Sequence, residues 1–188
     1  MIGHGLATEL PASAVIVFNI VKRRNIGRLI RTADAFGVSD ILIIGRRQFS
    51  THGHFGTDDP RRRQHFFRLA DGVAELRARG YRILGVEIAD NAVPVDHVPF
   101  SGSTAFMFGN EGTGIDPAHR IHCDGFVYVR QYGCGASLNV NVAAGIVLHQ
   151  FALWAGFQER SRHGEKFTGP EGVVRRGNWD PSGRDADT

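Results

Sequence analysis

Short apolar runs alternate along the chain with segments whose apolar residues recur at helical spacing, and that alternation sets the predicted elements. Val15 to Val21 is rich in β-branched residues and reads as a buried parallel strand, followed by the polar turn Lys22-Arg23-Arg24-Asn25. Ile26, Leu29, Ile30, Ala33 and Phe36 share one helical face and Gly37 ends the pattern, which predicts a helix over Ile26 to Phe36. Ile41 to Ile44 predicts a second strand. From Gly45 to about His65 runs a loop with Gly53, Gly56, Pro60 and three consecutive arginines, of a length that is usually functional or mobile. Phe66 to Arg79 reads as a helix closed by Gly80, Tyr81 to Glu87 as a strand, and Asn91 to Ser103, with two prolines and a glycine, as connection. Thr104 to Phe108 and Phe126 to Val129 are the last predicted strands, and between them Pro117 suits the first position of a short helix capped by Asp116.

The most apolar stretch follows, from Gln131 to Trp154. Its glycine-bearing turn, Gly133 and Gly135, allows close backbone approach to a ligand and feeds into a helix. Ser137 is the expected N-cap, with Asn139 and Asn141 in the first turn, where unpaired N–H groups favour an anion. Leu138, Val140, Val142, Ile146, Val147, Leu148, Phe151, Leu153 and Trp154 make nearly every face of this helix apolar, so both its own sheet and a second subunit are expected to cover it. The whole pattern predicts an α/β fold with a largely parallel sheet flanked by helices.

At 188 residues the chain is long enough for one domain with a sizeable core. No segment has the length and hydrophobicity of a membrane span or the layout of a secretory signal, and two cysteines, Cys123 and Cys134, fit a reducing compartment, so a cytoplasmic protein is expected. A bridge between the two is not favoured. Cys134 reads as a packing residue whose position also suggests sensitivity to alkylation. Net charge is only +3, yet Lys22 to Arg63 carries ten basic residues against four acidic ones, whereas the stretch from Glu159 onward balances six against six. A basic window on a nearly neutral chain points to a phosphate-bearing partner, the alternative being a solvated loop. His52 and His54 have no partner at metal-ligand spacing, so no metal is expected.

Three polar clusters fall at predicted strand ends: Asn25 through Arg31, Gly109 through Gly114, and Gly133 through Asn139. In a parallel sheet the loops leaving the carboxyl ends of strands meet in one crevice, so all three are expected to face one site. Gly109-Asn110-Glu111-Gly112-Thr113-Gly114 could cradle a phosphate, but it lacks the Walker lysine and the spacing of a dinucleotide fingerprint. As an ordered set, the segments Asn25 to Val38, Phe108 to Ile115 and Ser137 to Ile146 closely resemble the three motifs of the SpoU/TrmH-like branch of the SPOUT superfamily, the RNA 2′-O-ribose methyltransferases. The resemblance spans roughly Val15 to Phe151. It implies a catalytic domain over residues 1–157 with a polar tail over 158–188, and a C-terminal part tucked into a deep trefoil knot, an exception to the unknotted rule. It also implies S-adenosylmethionine bound in the knot, a homodimer formed through the knot region, and tRNA or rRNA as partner.

By matching position, Arg31 corresponds to the family's catalytic arginine, Asn25 to the start of its motif, Glu111 to the glutamate of the second motif, and Ser137 and Asn139 to the pair of the third. Phe108, Gly109, Asn110, Gly112, Ile121, Val129 and Leu138 fall where relatives hold the adenosyl group, chiefly through backbone. The departures are Lys22-Arg23-Arg24 in place of a common Asn-Pro turn, Asn141 in place of a common serine, and a longer Gln-Tyr-Gly-Cys-Gly loop before Ser137. With the first strand starting about a dozen residues into the chain and no separate RNA-binding domain ahead of it, RNA is expected on the basic loops, Arg23, Arg24, Arg61, Arg62 and Arg63, on a partner subunit, or on the tail. An arginine stays cationic in water below pH ~12, so of two roles for Arg31, a base deprotonated by an unusual site or a group that grips a phosphate and stabilises developing alkoxide charge, the second is the one expected. The competing readings are methylation of a base, an inactive RNA-binding or assembly protein, and purely structural roles for Arg31 as an ion-pair partner and for Glu111, Ser137 and Asn139 as helix caps.

Overall fold

The computed structural model describes residues 10–20, 23–45, 63–110, 112–135, 137–163 and 166–167. The aliphatic runs become β1 (Ser13–Val17), β2 (Asp40–Ile44), β4 (Arg82–Val86) and β6 (Thr104–Phe108), joined by β3 (Arg63–Phe66), β5 (Ala92–Pro94) and β7 (Gly125–Tyr128). Helices α1 (Arg23–Ala35), α2 (Leu69–Ala78), the short α3 (Pro117–Arg120) and α4 (Val140–Trp154) connect or follow them. The strands form one parallel sheet in the order β3-β2-β1-β6-β4-β7-β5. β1, β2 and β6 are buried along their whole length, as expected for parallel strands covered on both faces.

Alternate residues divide the core in two. Val15, Val17, Ile41, Ile43, Phe106 and Phe108 face α1 and α4, whereas Ala14, Ile16, Leu42, Ile44, Ala105 and Met107 face α2. The first layer is closed by edge-on and tilted ring contacts, with Phe151 of α4 at 5.6 Å from Phe106, 5.3 Å from Phe100 and 5.4 Å from Trp154. α4 buries Val140, Ala144, Val147, Leu148 and Phe151, and on its other side Val142, Ile146 and Leu153 remain exposed, Leu153 by 64%.

Several expected boundaries move, each for a physical reason. The first strand runs over Ser13–Val17 and stops short of the expected Val21, because the backbone turns at Asn19, whose φ is 57°. The end of the predicted loop is strand β3, set by pairing with β2, so Phe66 pairs with Ile44 and α2 starts only at Leu69. Part of the expected connection is β5, a short edge strand whose last residue, Pro94, is tolerated there. Ser137 is not the cap of α4. Asn139 is, with its side chain accepting the Asn141 N–H at 2.9 Å. Asp116 caps α3 as expected, accepting from the Ala118 N–H. In the region read as a polar tail, Arg162–His163 and Lys166–Phe167 form an antiparallel pair, β8 and β9. Among the described residues no helix is long and apolar enough to cross a membrane, and no three metal-ligating side chains cluster.

Candidate active site

The central strands β1 and β6 lie side by side, so the loops leaving their carboxyl ends are neighbours. The left-handed backbone of Asn19 presents its carbonyl to Asn110 Nδ2 at 3.2 Å. Asn110 in turn builds the turn that follows β6: its Oδ1 accepts the N–H groups of Gly112 and Thr113 at 2.8 and 3.2 Å, and its backbone exchanges two hydrogen bonds with Gly114. Gly109 is obligatory here, since a Cβ would lie 2.6 Å from the Gly114 carbonyl carbon. A recess of about 10 Å³, room for one water, is lined by Phe18, Asn19, Gly109, Asn110, Gly114 and Ile115.

A second link joins the other two clusters. Asn25, near the start of α1 and 4% exposed, accepts a 3.0 Å hydrogen bond from Asn141 Nδ2, which also reaches Asn139 Oδ1 at 3.2 Å. The N-terminal ends of α1 and α4 therefore meet through three asparagines, with no acidic residue in either first turn. The dipoles of the two helices favour negative charge nearby. The buried Oδ1 of Asn141 has no partner among the described residues.

Ile121, just after α3, is 76% exposed and Leu138 is also open, while the side chains of Phe108 and Val129 pack into the core and leave only their backbone for a ligand. Gly112 is exposed. Arg31 lies on the solvent side of α1 together with Arg28, and Ser137 is exposed two residues before the cap. Arg63 opens β3, two strands from β1 and at the end of the sheet opposite these loops. Glu111, Arg61, Arg62, His52, His54 and the side chains of Arg23 and Arg24 lie outside the described part. Cys134 is exposed, which corrects its reading as a packing residue, because the glycine-flanked loop carries it away from the core. Cys123 is half-buried, and burial pushes its thiol up to about 12. Sequence reasoning missed Asn19, which falls inside the predicted strand Val15 to Val21 although asparagine tolerates the left-handed conformation that ends a strand, and it missed the bond from Asn141 to Asn25.

A parallel α/β sheet covered by helices on both faces, with asparagine- and glycine-rich loops at the carboxyl ends of its adjacent central strands, has the layout of a ligand-binding or catalytic domain. The chain belongs to the SpoU rRNA Methylase family, which matches residues 12–149. It is 28% identical over 148 residues to the tRNA (guanosine(18)-2′-O)-methyltransferase of Escherichia coli K12, covering 77% of this chain and 65% of that one. It is 37% identical over 134 residues to a 23S rRNA (guanosine(2553)-2′-O)-methyltransferase of Bacillus subtilis 168, covering 66% and 52%. The chain thus spans about half to two thirds of the length of these curated relatives. The fold is also that of the SpoU methyltransferase AviRb from Streptomyces viridochromogenes, solved with AdoMet, with a TM-score of 0.67 at 22% identity over 79% of this chain and 62% of that one.

Proposed function

We propose that this chain transfers a methyl group from S-adenosylmethionine to a ribose 2′-hydroxyl of tRNA or rRNA in the cytoplasm, with residues 1–157 as the catalytic unit. The observation that carries the reading is a pair of hydrogen bonds at the carboxyl end of the sheet: Asn141 to Asn25 joins the third motif segment to the first, and Asn110 to Asn19 ties the second to the loop that leaves β1. The names of the E. coli and B. subtilis relatives, and the AdoMet bound to AviRb, support the reaction and the cofactor. The residues of the turn fit such a group: Gly109 leaves no room for a Cβ, and Ile121 and Leu138 are exposed apolar side chains available to it. The Gly109–Ile115 turn, Ile121, Leu138 and the backbone of Phe108 and Val129 would hold the cofactor, which supplies an electrophilic methyl group when bound.

Around it the chain's own residues orient the substrate. Asn25 and Asn139, fixed by Asn141, position the ribose; Arg31 grips the neighbouring phosphate and stabilises the negative charge that develops on the 2′-oxygen as its proton passes to solvent water. Glu111 and Ser137 complete the set. The stretch from β6 to α4 forms the knot, supported by the sheet order β6-β4-β7, in which the chain returns past a strand laid down earlier. The homodimer uses the exposed apolar side of α4, and Ile146→Arg is expected to convert it to monomer in sedimentation. An unchanged dimer would put the interface elsewhere. The reaction is tested by incubating the protein with methyl-labelled S-adenosylmethionine and RNA from a strain lacking the gene. Label entering RNA supports the proposal, and cofactor binding without transfer favours a binding or assembly role.

A further inference from the structure

We propose that Glu87 and Arg120 are positioning residues that clamp the Gly109–Ile115 turn in its cofactor-binding shape, an inference that rests on reading this turn as the cofactor cradle. Glu87 follows β4, the strand between β6 and β7, and its backbone N–H is tied to the Val127 carbonyl at 2.9 Å. Its Oε2 accepts the Ile115 N–H at 3.2 Å, and its Oε1 accepts from Arg120 Nη2 at 2.6 Å. Arg120 Nε donates back to the Ile115 carbonyl at 3.1 Å. One ion pair therefore holds both backbone polar groups of the residue where the turn ends.

The pair is built into its place. The Glu87 side chain is 14% exposed and that of Arg120 39%, and the guanidinium lies 5.7 Å from the centre of the Phe126 ring. A Cβ at Gly114, where φ is +69°, would fall 2.5 Å from Glu87 Oε1, so the carboxylate occupies the space a side chain would take. Asn110 holds the turn from within through Gly112 and Thr113, and Glu87 with Arg120 holds its exit. A turn with glycines at 109, 112 and 114 is costly to order, and ordering it before the ligand arrives removes that cost from binding.

Such a clamp acts on binding rather than on the chemical step, so its loss raises KM for the cofactor while kcat holds. The test compares Glu87→Ala, Arg120→Ala, their double variant and the gentler Glu87→Gln and Arg120→Lys. Calorimetric Kd values for S-adenosylmethionine are read beside kcat, both KM values and the unfolding temperature. Each alanine variant is expected to weaken cofactor binding about tenfold, with kcat and KM for RNA within about twofold, and the double variant to be no worse than either single one. Glu87→Gln, which keeps an acceptor for the Ile115 N–H, is expected to fall between. Folded Gln and Lys variants that bind the cofactor like wild type, or alanine effects that multiply in the double variant, would overturn the clamp. A wild-type chain with no affinity for S-adenosylmethionine would instead overturn the function on which it rests.

Discussion

Replacing Asn141 by alanine removes the side-chain link between the starts of α1 and α4 and leaves the helix cap in place. The Nδ2 bonds to Asn25 (3.0 Å) and Asn139 (3.2 Å) are lost, but the backbone N–H of residue 141 still reaches Asn139 Oδ1 at 2.9 Å. Asn25 is buried, so water replaces the missing donor poorly, and losing that bond costs about 1–2 kcal/mol. Removing the unpartnered Asn141 Oδ1 offsets part of this, so the net loss of stability is about 1 kcal/mol. In a chain of this size that lowers Tm by about 2–4 °C. Turnover is expected to suffer far more, because a displacement on the order of 1 Å of a substrate-positioning group can cost about 100-fold in rate. Methyl transfer at saturating cofactor and RNA, run beside thermal unfolding, separates the two effects. Asn141→Ser is expected to lie between wild type and alanine, and Asn25→Ala combined with Asn141→Ala to be no worse than the more damaging single change. A kcat within about twofold of wild type, with the small fall in Tm present, would refute the positioning argument and leave Asn141 a packing residue.

The remaining predictions concern the opposite end of the sheet, the glycine turn and the thiols. Burial, with the neighbouring Asp40 carboxylate, pushes the Tyr81 phenol up to about 12. The folded state therefore keeps a proton that the unfolded chain loses near pH 10, so stability falls as pH rises from about 10 to about 12 and is unaffected by this group below that window. Urea titrations of Tyr81→Phe should lose this part of the fall, and an unaltered slope would contradict it. Gly109→Ala, which drives a Cβ against the Gly114 backbone, is expected to weaken S-adenosylmethionine binding by more than about tenfold by calorimetry. Wild-type affinity would show that the turn adapts or does not bind the cofactor. Iodoacetamide at pH 8 is expected to modify the exposed Cys134 rapidly and Cys123, half-buried with its thiol pushed up to about 12, only on unfolding. Two fast thiols by mass spectrometry would contradict the burial of Cys123.

The parts of the fold carried by local chemistry were legible in the sequence. Thr104–Phe108 is an uninterrupted apolar run, and Asp116 before Pro117 is a complete capping signal, so both elements are found at their expected places. β3 was not legible, because Arg-Gln-His-Phe carries no apolar alternation and is a strand only through pairing with β2. The choice between Ser137 and Asn139 as cap could not be made locally either, since both residue types cap helices. The distinguishing contact lies 116 residues away, where Asn141 meets Asn25. The meeting of the loops that leave β1 and β6 followed from parallel-strand logic alone. Their fastening did not, because Asn19 acts through its own carbonyl and Glu87 and Arg120 through the backbone of Ile115, and none of the three bears a motif of its own.

The central claim, methylation at a ribose 2′-oxygen, is tested most directly by alkaline hydrolysis of RNA labelled by the enzyme. Alkali cleaves RNA through the free 2′-hydroxyl, so a 2′-O-methyl group protects the adjoining phosphodiester. The account predicts label in an alkali-stable dinucleotide. Label released wholly as mononucleotides would place the methyl group on a base and contradict it.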